Sequence, residues 1–137
     1  MKTRQVLTLD DARKIAAAAE TEALRNGWAV TIAICDEGGH LLWLQRLDNA
    51  PPSSAYVAPE KARTCVMMRK PSKAIEDMVN NGRFAGLGLP VTPLEGGEMI
   101  VAGGEVIGAV GVSGVKSSDD AQIARAGVTA IGASCSL

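Results

Sequence analysis

From Leu9 onward apolar residues recur at helical spacing. Leu9, Ala12, Ile15, Ala16, Ala19 and Ala23 fall near one face. Thr8 precedes them as an N-cap, and Asp10 and Asp11 occupy the first turn, where the helix dipole favours acids. So much alanine implies close approach to a neighbouring surface, and Asn26-Gly27 supplies the stop. The period then changes from 3.6 to 2. Val30, Ile32 and Ile34 alternate with Ala29, Thr31, Ala33 and Cys35, which predicts a strand over 28–35. Asp36-Glu37-Gly38-Gly39 turns the chain into a second strand over 40–46, completing a hairpin. Neither strand has a strongly charged face, so both sides of the sheet are expected to be covered.

A loop over 48–54 leads into a helix over 55–69, with its regular part expected from Pro59, because proline suits a first turn and not an interior. Pro71 ends it. Ser72 caps a short helix to about Val79, closed by Asn81-Gly82. Residues 84–93, rich in Gly and Pro, read as loop or a short irregular strand. Strands over 97–102 and 105–112 flank Gly103-Gly104, a strong hairpin signal. Gly108 and Gly111 leave flat spots where a helix or ligand can come close. Ser117 or Ser118 is expected to cap a last helix over 119–131, and the tail to fray. The order α-β-β-α-α-(β)-β-β-α, with hairpins in place of βαβ crossovers, specifies an α+β fold with an antiparallel sheet, as a single domain over 1–137.

A chain of 137 residues, 47% hydrophobic and 21% charged, can build its own core, and with 3% aromatics that core must be Ala, Val, Ile and Leu. A net charge of −1 gives no basic footprint for DNA or RNA. No apolar stretch is long enough to span a bilayer, and no apolar run follows Met1-Lys2-Thr3-Arg4, so a cytoplasmic protein without an export signal is expected. Cys35, Cys65 and Cys135 are odd in number and lack a C-x-x-C, which fits packing thiols.

His40 is the only histidine, which excludes a histidine-rich metal site. It starts a strand after a Gly-Gly turn, where a side chain can enter a cleft as a proton donor, an acceptor or an axial metal ligand; a partly exposed strand end is the plainer reading. Lys61, Arg63 and Thr64 share one helix, and a Lys and a Thr three apart can hold a carboxylate or propionate, although a solvated face is the commoner fate of Lys and Arg. The turn containing Glu95, Gly96 and Gly97 offers backbone N–H groups to an anion. Gly108-x-x-Gly111 fits neither a P-loop nor a dinucleotide fingerprint. Ser113 lacks the spacing of a nucleophile elbow. Asp119 and Asp120 read first as helix-start acids, and Met67-Met68 as core.

Six motifs in order carry a resemblance: Leu7-Thr8-Leu9-Asp10-Asp11-Ala12, Asp36-Glu37-Gly38-Gly39-His40-Leu41, Arg46-Leu47-Asp48-Asn49-Ala50, Glu60-Lys61-Ala62-Arg63-Thr64, Pro93-Leu94-Glu95-Gly96-Gly97 and Ile107-Gly108-Ala109-Val110-Gly111-Val112-Ser113-Gly114. Together they resemble the GlcG/HbpS-like haem-binding family, which includes the C-terminal domain of PduO-type adenosyltransferases. The resemblance runs from about Val6 to Ile131. It implies a profilin-like fold with a five-stranded antiparallel sheet flanked by helices, and assembly as dimers or larger, often octameric, rings. It also implies haem or another tetrapyrrole as ligand, and an association with small-molecule catabolism. Carried over by residue, His40, Lys61, Thr64, Glu95, Gly96, Gly97 and Ser113 line a pocket at a subunit interface, with His40 as haem axial ligand. With no second histidine, a bis-histidine haem within one subunit is excluded.

Three functional readings follow. The first is a haem- or tetrapyrrole-binding accessory protein. The second is a small catabolic enzyme in which Lys61 or Arg63 holds a carboxylate and His40 or Glu95 moves a proton. The third is a non-catalytic assembly subunit. Whether the protein is an enzyme stays open among them.

Overall fold

The computed structural model describes all 137 residues. In chain order the elements are α1 (Leu9–Arg25), β1 (Thr31–Asp36), β2 (Leu41–Arg46), α2 (Ser54–Met68), α3 (Ser72–Asn80), a 3-10 turn (Phe84–Gly88), β3 (Gly97–Ala102), β4 (Glu105–Ser113) and α4 (Ser117–Thr129). The strands form one antiparallel sheet in the order β2-β1-β4-β3. α1 and α4 cover one face and α2 the other, with α3 beside α2. The fold is therefore α+β with an antiparallel sheet between helices.

The alternation of side chains explains the layers. In β1 and β4, the residues facing α1 and α4 are large: Ile32, Ile34, Val110 and Val112. Those facing α2 are small: Ala33, Ala109 and Gly111. A methyl at Gly111 would sit 2.0 Å from the Ala58 carbonyl oxygen and 2.6 Å from the Ala62 nitrogen. The glycine therefore lets the α2 backbone lie directly on the sheet. β1 and β4, the central strands, are buried on both faces, but β2, the other strand expected to be covered, is an edge strand whose residues are exposed or half-buried.

α1 starts as expected. The Asp11 N–H donates to Thr8 Oγ1 (3.1 Å), and the Thr8 N–H donates back to Asp11 Oδ2 (3.0 Å), a reciprocal capping box. α2 departs from expectation by starting at Ser54 and running through Pro59. Its first turn is fixed from outside. The Ser54 hydroxyl is fully buried, donates to the Pro51 carbonyl and accepts from Thr31 Oγ1 at 2.7 Å. That tertiary anchor outweighs the local preference of proline. α4 starts at Ser117 after Lys116, with no serine side-chain cap.

The sheet has four strands where the resemblance implied five. Residues 84–88 form the 3-10 turn, and Pro90 and Pro93 beyond it lack the N–H a ladder needs. The outer edge of β3 is capped otherwise. Ser72 Oγ accepts the Gly97 N–H at 2.8 Å, and Ser134 exchanges two backbone bonds with Val101 (2.8 and 2.9 Å). The tail expected to fray is thus tied to the sheet at Ser134. No helix is long and apolar enough to cross a membrane.

Candidate functional site

The sequence-selected residues separate into two groups at opposite ends of the sheet. Residues 31 to 36 of β1 span the gap, roughly 17 Å at strand rise.

The first group gathers where β4 ends. Lys61, 3% exposed, donates to the Val112 carbonyl (2.9 Å) and to Asp120 Oδ2 (3.1 Å). Asp120 Oδ1 in turn accepts the Val115 N–H at 3.2 Å. The Asp120 carboxyl is pushed up by burial, against the pull of the Lys61 ammonium. Gly96 has φ +131, and a methyl there would lie 2.6 Å from Lys61 Nζ. The Gly96 carbonyl accepts the Val112 N–H at 3.0 Å. Gly97 packs against the Lys61 carbonyl just as tightly. Lys61, Gly96 and Gly97 are therefore brought together, and Asp120 joins them as a buried acid. Ser113, half-buried, follows at the end of β4 opposite Thr31. Glu95 is half-buried, its N–H donating to Glu76 Oε1 at 3.4 Å.

Thr64 lies fully buried between the groups. Its hydroxyl donates to the Glu60 carbonyl (2.7 Å) and accepts the Thr92 N–H (2.9 Å), which ties the loop before β3 to α2. The Arg63 guanidinium is held by Glu60 Oε2 (2.7 Å) and the Pro90 carbonyl (2.8 Å).

The second group surrounds His40. Asp36 Oδ1 accepts the N–H groups of Gly38 (3.0 Å) and His40 (2.9 Å), so the turn is pinned by its own aspartate. The His40 side chain is exposed and makes no hydrogen bond within the chain. Gly39, at φ +83, packs against Arg63 and Met67 of α2. Leu41 and Leu44 of β2 pair with Cys35 and Ala33 and so share the α2 side of the sheet, where they are 52% and 45% exposed. Met67 and Tyr56 of α2 are also exposed. An exposed imidazole beside exposed apolar side chains is the donor set that a flat, largely apolar iron macrocycle requires.

None of the sequence-selected residues lines a concavity of the single chain. The largest, about 760 Å³, lies between residues 5–11, the β3–β4 hairpin and the tail, and is floored by Val101, Ile107 and Ile131. The cysteines behave as packing thiols: Cys35 and Cys65 are buried, and burial pushes the Cys35 thiol up to about 12 and Cys135 to about 11.

The sequence profile described as "Haem degrading protein HbpS-like" matches residues 7–129. The chain belongs to the HbpS-like family. Protein GlcG of Escherichia coli K12 is 50% identical over 114 residues, which cover 82% of this chain and 85% of that protein. The crystal structure of the PduOC:haem complex superposes with a TM-score of 0.89 at 26% identity, covering 97% of this chain and all of that one. The crystal structure of a double mutant of HbpS from Streptomyces reticuli superposes with a TM-score of 0.88 at 33% identity, over 96% of this chain and 91% of that one.

At the His40 end nothing in the chain takes up the imidazole. At the other end Lys61 is spent on Val112 and Asp120. Sequence reasoning missed Asp120 as that partner because 59 residues separate the two, and it missed Met67, Leu41 and Leu44 because apolar residues on such elements read as core.

Proposed function

We propose that this HbpS-like protein is a haem- or tetrapyrrole-binding accessory protein, with the ligand seated on the exposed face around His40. The observation that carries the reading is the match over 97% of the chain to a structure solved as a haem complex. The free imidazole at the β1–β2 turn supports it. His40 would supply one axial nitrogen, and Leu41, Leu44 and Met67 an apolar wall; Arg63 is already held by Glu60 and the Pro90 carbonyl. Bound haem would bring redox-active iron; the chain's own part is to orient it and shield one face.

One flat exposed face cannot enclose a macrocycle, so the proposal includes self-association, the second wall coming from another copy. The open outer edge of β2 and the exposed Leu41 and Leu44 on it support that part. The test is a haemin titration followed by absorbance, with wild type beside His40→Ala. Saturation near one haem per chain or per dimer, lost in the variant, is expected. Weak, unsaturable binding that the substitution leaves alone would remove the reading.

A further inference from the structure

A cleft of about 210 Å³ opens where residues 2–4 cross the C-terminal end of α2 and the start of β4. Its charged side chains are Lys2, Arg4 and Arg69 with Glu105, and Val106 and Leu137 complete the lining. Glu105 is already occupied by Lys2 at 3.0 Å, and Arg4 reaches away to Glu37 at 3.2 Å. Arg69 is the cation of the three with no carboxylate partner.

Its backbone makes Arg69 unusual as well. It is the C-cap of α2 in the left-handed region, at φ 54 and ψ 42, with its N–H on the Cys65 carbonyl. Glycine takes that position without a Cβ penalty, and asparagine is the usual second choice. An arginine there is held in a conformation L-residues avoid, and nothing inside the chain takes up its guanidinium. Strain at a cavity wall, an unpaired fork-shaped donor and an excess of two cationic over acidic side chains converge on one place.

We infer that this cleft is an anion subsite that takes the carboxylate or phosphate group of a small metabolite, with Arg69 as the bidentate donor and Arg4 and Lys2 as flanking cations. The volume suits a small acid and is too small for a macrocycle. The subsite stands independently of the haem reading, since none of its lining residues serves there.

The experiment follows the backbone and arginine side-chain NMR signals of the full chain at low ionic strength, titrated separately with inorganic phosphate, succinate and chloride. Saturable shifts at Arg69 and Lys70 with phosphate or succinate are expected at one anion per chain, and whichever saturates at lower concentration names the source of the oxyanion. Arg69→Gly suits this backbone and should melt no lower than wild type, yet bind about tenfold or more weakly, as loss of a charged hydrogen bond implies. Arg69→Lys should keep part of the affinity. Shifts that grow linearly and equally with all three salts would overturn the subsite. So would saturable binding unchanged in Arg69→Gly.

Discussion

At the scale of single residues, the buried Lys61–Asp120 pair decides how the first group is to be understood. The ammonium joins α2 to the end of β4 and to the first turn of α4, and its exposure is 3%. Removing one partner leaves the other charge buried and unpaired, which costs about 3–5 kcal/mol. Lys61→Met and Asp120→Leu should each destabilise by about that amount in urea denaturation, and the double variant by clearly less than the sum. Additive losses would show that the two charges do not depend on each other. The surroundings of His40 and of Lys61 differ in how legible they were. The turn that carries His40 was legible because it is local: Asp36, Gly38 and Gly39 fix it within five positions. The environment of Lys61 was not, because its spacing with Thr64 predicts a shared helix face and says nothing about what covers that face. The structure covers it with Asp120 on one side and Gly96 on the other.

At the scale of elements, two local devices make testable claims. Gly111 lets α2 touch the sheet, and the atoms a methyl would meet are backbone, which cannot swing aside. Gly111→Ala should therefore cost about 3 kcal/mol or more, beyond ordinary overpacking, measured by thermal or chemical melting. A near-neutral result would mean that α2 rides higher than described. The second device is the capping box of α1. Hydrogen bonds from Thr8 hold the Asp11 carboxyl below its ordinary value of 3.8. A lowered folded pKa stabilises the fold above the unfolded value, and this contribution is lost as pH falls through the folded one. Asp11→Asn should lower stability by about 1 kcal/mol at neutral pH and close the gap to wild type as pH falls below 3.8 and through the lowered folded value. A gap independent of pH would place the effect elsewhere. Alternation and turn chemistry made the four strands and four helices legible. The start of α2 was hidden because the buried Ser54 anchor is a tertiary contact. The fifth strand implied by resemblance is absent because residues 84–93 combine glycines with prolines while Ser72 and Ser134 already cap the edge of β3.

At the scale of the whole molecule, the surface is uneven. The α2 side of β2 exposes Leu41 and Leu44 beside an unpaired strand edge, with Met67 against the Gly39 turn. Light scattering at micromolar concentration should give at least twice the mass of the 14.2 kDa chain. Leu44→Lys should shift the protein towards monomer without lowering its melting temperature by more than a few degrees. A wild-type monomer would contradict assembly through this face. The same surface carries His40, so assembly and ligand binding are expected to be coupled: Leu44→Lys should weaken haemin binding although it leaves the imidazole in place.

The most direct test is the position of iron in crystals grown with haemin, located by anomalous scattering at the iron edge. The account predicts one peak per chain or per dimer within coordinating distance of the His40 imidazole, against the Leu41–Leu44–Met67 face. An ordered peak in the 760 Å³ groove, or at any site remote from His40, would contradict it.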